Sequence, residues 1–188
     1  DHLSSCKSPQ QMFGALVKSV FAQRMGIDPK DLFVVAAMPC TGKKGEKLRT
    51  FTNGLPDVDA VLTTRELAHL MQENGILLAD VPEGKADSPF GEYTGAGIIF
   101  GASGGVMEAA LRTAVQVLQA NNPLEFEEVR GMEGVKAATY EVGGKTLRIA
   151  VVNGLKNAKE ICEQVKNGTS EYDFVEVMTC PGGCVMGG

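Results

Sequence analysis

Four short apolar runs set between helix-forming segments constrain the fold of this chain more than any other feature. Leu32-Phe33-Val34-Val35-Ala36-Ala37-Met38 is continuous and β-branched in its middle, and Val58 to Leu62 repeats the pattern. Both read as strands buried on two faces. Leu147 to Val152 and Phe174 to Met178 supply two more strands. Strands separated by helices predict an α/β fold, mainly parallel sheet flanked by helices. Ligands of such sheets gather beyond the C-terminal strand ends. Cys40 and Cys180 each fall two residues past a predicted strand end.

The intervening segments carry their own signals. Ser8-Pro9-Gln10-Gln11 predicts a helix start, with Ser8 as N-cap, Pro9 at the first helical position and Gln11 closing a capping box. Behind it Met12, Leu16, Val20 and Phe13, Val17, Phe21 recur every four residues and predict an apolar face to about Arg24. Thr63-Thr64-Arg65-Glu66 caps a second helix ending near Gly75. Residues 80–105 are rich in Gly, Pro and Asp and predict a long loop, with a boundary between two lobes placed near 80–100. A helix from Gly104 to about Gln119 is expected to pack through Val106, Ala110, Ala114 and Val117. A strand near Val129, a hairpin through Gly143-Gly144 and a helix from Leu155 to Val165 complete the reading.

Composition removes several function classes. A net charge of −5 opposes a nucleic-acid surface, which needs clustered cations. Lys43, Lys44, Lys47 and Arg49 form the one basic cluster, and a solvated loop accounts for it. Trp is absent and aromatics are 6%, so base-stacking platforms are not expected. No apolar run approaches the roughly 20 residues of a membrane helix, and no signal peptide is visible. Five cysteines, an odd number in 188 residues, do not resemble a secreted disulfide scaffold. A reducing compartment with thiolates kept for metal or redox work fits better: a cytoplasmic location, with a periplasmic parent also compatible.

Met178-Thr179-Cys180-Pro181-Gly182-Gly183-Cys184 is the strongest local motif. Iron–sulfur clusters are held by Cys thiolates on short irregular segments. Pro181 stops the strand ladder, and the two glycines let the chain bend around something bulky. A disulfide or a zinc half-site are the alternatives. Zinc usually wants four ligands, often with His, and the only histidines are His2 and His69. In Met38-Pro39-Cys40-Thr41-Gly42-Lys43-Lys44-Gly45-Glu46, Cys40 read alone is as well explained as a small buried hydrophobe. Lys43 offers ammonium donors to an anionic group, or is simply solvated. Cys162 reads as packing on its helix. Cys6, before a helix start, has no identifiable partner. Gly144-Lys145-Thr146 lacks the opening glycine of a phosphate loop, since Thr139 stands there. Gly95, Gly97 and Gly101 miss the dinucleotide spacing by one residue.

Taken in order, residues 3–11, the Met38-to-Glu46 motif, Gly91-Glu92-Tyr93-Thr94-Gly95-Ala96-Gly97, Gly104-Gly105-Val106-Met107-Glu108-Ala109-Ala110 and Phe174-to-Gly188 resemble the iron-only (FeFe) hydrogenases over essentially the whole chain. The Met-Pro-Cys-x-x-Lys-Lys-x-Glu and Glu-Val-Met-x-Cys-Pro-Gly-Gly-Cys motifs are two of that family's three signatures. The resemblance implies reversible reduction of protons to dihydrogen at an H-cluster, a 4Fe–4S cubane joined to a two-iron subsite. It implies that Cys40, Cys180 and Cys184 ligate the cubane, Cys184 also bridging to the subsite. Lys43 would hydrogen-bond a cyanide, and Met38 and Met178 would wall the subsite. Pro39, Gln10, Phe100 and Gly101 would line the pocket, and Ser4 matches a hydroxyl of the proton path. Implied partners are ferredoxin or NAD(P)-linked electron-transfer subunits and the hydrogenase maturation proteins.

The third signature, Thr-Ser-Cys-Cys-Pro, does not occur among these residues, nor do accessory cluster domains or the family's C-terminal segment. The chain, opening at Asp1, is expected to be an internal fragment, inactive alone. The competing resemblance is to the non-catalytic hydrogenase-like proteins of cytosolic iron–sulfur assembly, which share a similar Met-Pro-Cys-x-x-Lys-Lys motif. A sensory hydrogenase is a third reading, and a generic α/β binding module a fourth.

Overall fold

The computed structural model describes residues 2–49, 51–118 and 134–187. The expected strand near Val129 and the end of the helix at Gln119 lie outside them. The chain divides into two compact units between Glu92 and Tyr93.

The first unit opens with α1 (Pro9–Leu16), which runs through one π-helical turn (Val17–Phe21) into α2 (Ala22–Met25). The Ser8 side chain accepts from the Gln11 N–H, and Gly26 in the left-handed conformation ends the helix. β1 (Val35–Ala37) pairs in parallel with β4 (Ala60–Leu62); between them come α3 (Gly42–Glu46) and a small antiparallel pair, β2 (Phe51–Thr52) with β3 (Leu55–Pro56). α4 (Thr64–Glu73) follows with a full capping box: Glu66 N–H to the Thr63 hydroxyl, Thr63 N–H to the Glu66 carboxylate.

Two expectations fail here. The first helix buries Gln11, Gly14, Lys18 and Ala22, while Met12, Phe13 and Leu16 are exposed. The cause is a close approach: a Cβ at Gly14 would lie 2.2 Å from the Asp57 carbonyl oxygen, so the small face must turn inward. Phe13 and Phe21 instead pack edge-on against Phe90. Nor is β1 buried on both faces. Phe33 is 73% and Val35 49% exposed, because β4 is the one strand paired with it among the described residues.

The second unit begins with α5 (Gly95–Ile99), inside the expected loop, and α6 (Gly105–Val117). β5 (Val135–Val142) and β6 (Lys145–Asn153) form the expected hairpin across Gly143-Gly144, both at positive φ. α7 (Leu155–Lys166) then returns the chain so that β7 (Phe174–Met178) lies parallel to β6. Met107, Leu111, Ala138, Tyr140, Val142, Ile149 and Val151 form a core on one sheet face. Ala150 and Val152 pack under Ala158 and Ile161 of α7 on the other. α6 therefore faces the core through Met107 and Leu111, not Val106 and Val117; Val117 is exposed. Cys162 also faces outward, one position past the buried Ile161. The α/β class holds, its two parallel pairs, β1–β4 and β6–β7, lying beside antiparallel hairpins.

Candidate metal centre

Each cysteine-bearing turn follows a strand of a parallel pair. In the first unit Met38 N–H continues the ladder to the Leu62 carbonyl, 2.8 Å. Pro39 cannot donate, and the Cys40 N–H folds back onto the Met38 carbonyl at 2.7 Å. This turn leaves Cys40 buried at 9% exposure. A Cβ at Gly42 would sit 3.7 Å from its Sγ, so the glycine keeps that flank of the sulfur open.

The lysines beyond Cys40 are not a solvated run. Lys43 Nζ pairs with Glu46 at 2.7 Å and is largely enclosed. Lys44 Nζ reaches both Glu66 oxygens at 2.6 Å. Lys47 Nζ donates to the Asp59 carbonyl at 2.6 Å. The ammonium of Lys44 and the Thr63 cap hold the Glu66 carboxyl below its ordinary value of 4.5.

In the second unit, β7 delivers Met178, buried at 9%, and then Cys180, exposed, and Cys184, half-buried. The turn locks against the segment 99–105. Ser103 N–H donates to the Gly182 carbonyl at 3.2 Å, and Val185 N–H to the Gly101 carbonyl at 3.1 Å. Gly183, at φ +92, lies so close that a Cβ would meet the Gly101 oxygen at 2.3 Å. Gly101 thus meets the Cys180–Cys184 turn through its carbonyl, and Phe100 is its neighbour in the chain.

Ser4 is exposed, its hydroxyl accepting from Cys6 N–H at 3.2 Å. The amide nitrogen and oxygen of Gln10 are occluded and have no hydrogen-bond partner among the described residues. Such an amide is costly unless something polar is bound beside it. No disulfide links any of the five cysteines. Among the described residues no three His, Cys, Asp or Glu side chains gather as a metal site; what suits an iron–sulfur group is the chemistry of the donors, cysteine sulfurs on short turns and an orphaned amide. Cys40, Lys43, Met38, Pro39, Gln10 and Ser4 belong to the first unit; Met178, Cys180, Cys184, Phe100 and Gly101 belong to the second.

Sequence reasoning missed Glu176. It is buried in β7, where its carboxylate accepts from Gly104 N–H and Met107 N–H, both at 2.7 Å. Burial pushes its carboxyl above 4.5, against the pull of the N–H groups of Gly104, Met107 and Val106. The available signal was a lone charge amid Phe174-Val175-Glu176-Val177-Met178. Asp57 and Asp59 were missed too. Buried Asp57 binds Lys7 Nζ at 2.7 Å, and Asp59 binds the nearly buried Lys18 Nζ at 2.7 Å.

These features define a class: an α/β protein with cysteine-bearing turns at the ends of its parallel strands. The family described as iron only hydrogenase large subunit, C-terminal domain, matches residues 1–188. The chain belongs to that family. It is 51% identical over 191 residues to the periplasmic Fe hydrogenase large subunit of Nitratidesulfovibrio vulgaris, covering 100% of this chain and 45% of the relative. It is 35% identical over 205 residues to protein NAR1 of Arabidopsis thaliana, covering 100% and 43%. A variant of the FeFe-hydrogenase HydA1 from Chlamydomonas reinhardtii superposes with TM-score 0.79 at 42% identity, covering 98% of this chain and 55% of that one. The chain spans less than half the length of these curated relatives.

Proposed function

We propose that this chain is the part of an FeFe hydrogenase that supplies three thiolates to an H-cluster and walls its two-iron subsite, for the reversible reduction of protons to dihydrogen. The observation that carries this is the pair of glycine-flanked cysteine turns, each following a parallel strand, in a chain the family matches throughout. When bound, the cluster supplies the iron at which two protons and two electrons combine.

Cys40, Cys180 and Cys184 would hold the cubane through their sulfurs, Cys184 also serving the two-iron subsite. An ammonium has three donors, so Lys43 keeps Glu46 and still donates to an anionic ligand of the iron. Gln10 offers its orphaned amide to the same ligand shell. Met38 with Pro39 in the first unit, and Met178, Phe100 and Gly101 in the second, would offer the subsite soft apolar surface that excludes water. Ser4, open to solvent, stands at the outer end of a proton path. Three thiolates leave one cubane iron unserved, so these 188 residues by themselves hold an incomplete cluster and evolve no hydrogen.

Electrons arrive from ferredoxin or an NAD(P)-linked subunit, and maturation proteins install the subsite. We assign the parent protein to the cytoplasm, to be checked by cell fractionation because one relative is named as periplasmic. Among the described residues no helix is long and apolar enough to cross a membrane.

A second reading, a non-catalytic iron–sulfur assembly protein, draws on the 34% identity to a Xenopus tropicalis protein named cytosolic Fe-S cluster assembly factor narfl. The 51% identity to a hydrogenase large subunit favours catalysis. The test is the full-length protein matured with iron, sulfide and maturation proteins, assayed for gas. Hydrogen evolution that falls to background in Cys184→Ala is expected. A fully loaded protein that evolves none would reverse the order of the two readings.

A further inference from the structure

The turn bearing Cys180 and Cys184 carries no charged side chain to fix it, so its geometry must come from what it leans on. That support is the segment 99–105, reached through Ser103 N–H to Gly182 O and Val185 N–H to Gly101 O. The segment is in turn the entry to α6, whose first N–H groups have no partner within the helix. Glu176 takes them. Its Oε1 accepts from Gly104 N–H and its Oε2 from Met107 N–H, each at 2.7 Å, at a site only 7% exposed. Charge-assisted bonds of this length are about twice as strong as neutral ones.

Glu176 stands on β7, four residues ahead of Cys180, and β7 is itself anchored to β6. One strand therefore sends out two connections to the same turn. The direct one runs along the backbone through Met178, whose carbonyl accepts from Gly154 N–H at 2.8 Å. The indirect one runs through the Glu176 carboxylate, the Gly104 corner and the two backbone bonds to Gly182 and Val185. Gly104, at φ +83, lets the corner bend toward the carboxylate. Ser103 reinforces it by donating its hydroxyl to the Asn153 side chain on β6.

We propose that Glu176 is a positioning residue for the Cys180–Cys184 turn, closing a loop of contacts that fixes where the two thiolates stand before any iron arrives. The proposal rests on the hydrogenase reading for what the thiolates hold, but not for the contact itself. Glu176 touches no reacting atom. Its effect passes through the 101–104 segment.

Glu176→Gln keeps the volume and one acceptor, but turns an amide NH2 toward a backbone N–H and removes the charge. The experiment uses the full-length protein with its cubane, wild type against Glu176→Gln, with Glu176→Asp as second variant. Backbone amide exchange is read over 101–107 and 182–186, and the reduced cubane is read by EPR. In Glu176→Gln, exchange is expected to accelerate at least about tenfold at both Ser103 and Val185. The cubane signal is expected to broaden or shift in g, with KM for the electron donor unchanged. Glu176→Asp, which keeps the charge on a shorter arm, is expected to fall between, and it decides the matter alone if Glu176→Gln does not fold. Faster exchange confined to 104–107 with an unaltered EPR signal would reduce Glu176 to a plain helix cap and overturn the proposal, as would no change at all. If the wild type holds no cubane, the hydrogenase reading fails, while exchange at Val185 still decides the role of Glu176.

Discussion

The two units solve the same task by different physics. In the first, the turn after β1 and the helices around it are tied by ion pairs between distant residues: Lys7–Asp57, Lys18–Asp59 and Lys44–Glu66. In the second, the two apolar clusters found among the described residues pack on the two faces of a three-stranded sheet, and its described ion pairs are local i,i+4 pairs on helices. A short two-stranded sheet cannot bury a full core, so Asp57 and Asp59 recruit lysines to hold α1 and the π-turn against it. The lesson is that the turn bearing Cys40 rests on a polar clamp, whereas the turn bearing Cys180 and Cys184 rests on backbone bonds beside an apolar core. Loss of a charge should therefore act on the first, with salt and pH acting through its exposed Lys44–Glu66 pair, and cavities and added methyl groups should act on the second.

The sharpest test of that division is Ile149→Ala. Ile149 is fully buried at the centre of the larger cluster, and its truncation is expected to cost about 3–4 kcal/mol in urea unfolding. Amide exchange should rise across residues 135–178 while residues 9–25 stay as they were. An equal rise in 9–25 would break the comparison, because the first unit would then depend on the second unit's core. Gly183→Ala comes next, at about 3 kcal/mol, combining a left-handed backbone with a methyl group driven into the Gly101 oxygen. It should speed amide exchange over 101–105 and 182–186 and leave exchange over 36–48 unchanged. Stability within 0.5 kcal/mol of wild type would mean the two segments part easily.

In the first unit, Lys18→Met strands the carboxylate of Asp59, which still accepts from Val34 N–H. The expected loss is about 2 kcal/mol, less than for a fully enclosed pair because Asp59 keeps 14% exposure. Exchange should rise over 9–25 and 58–62. Molar salt should cut the difference between mutant and wild type only slightly, since buried pairs are poorly screened.

The contrast also explains what could be read from the residues alone. The Thr63–Glu66 capping box and the hairpin at Gly143-Gly144 depend on neighbours three or four residues apart, and both stand as expected. Phe174–Met178 was legible because a strand over a dry core announces itself in its own residues. The inward face of α1 was not, because it is set by the carbonyl of Asp57, 43 residues beyond Gly14. Periodicity counts apolar side chains and cannot see a backbone that demands a glycine. Glu176 escaped for the same reason, its partners lying 69 and 72 residues away. Cys40 and Cys180 were legible as strand-end cysteines, but the clamp behind one and the carboxylate behind the other exist only once the chain has folded.

The smallest expected effect is the most specific to the polar clamp. Glu66 joins the cap of α4 to Lys44, two residues past Gly42, and so steadies the helix that follows Cys40. The Lys44 hydrogen bond lowers its carboxyl below 4.5. A carboxylate that binds protons less tightly folded than unfolded stabilises the fold above the unfolded value, and that gain is lost as pH falls through the folded one. Glu66→Gln should therefore have a lower Tm than wild type at about pH 7, with the gap closing below 4.5. Because both partners are half exposed, about 0.5 M salt should shrink the gap at neutral pH as well. A gap that ignores both pH and salt would mean that Glu66 acts only through its cap on Thr63, and that the Cys40 turn stands without its clamp.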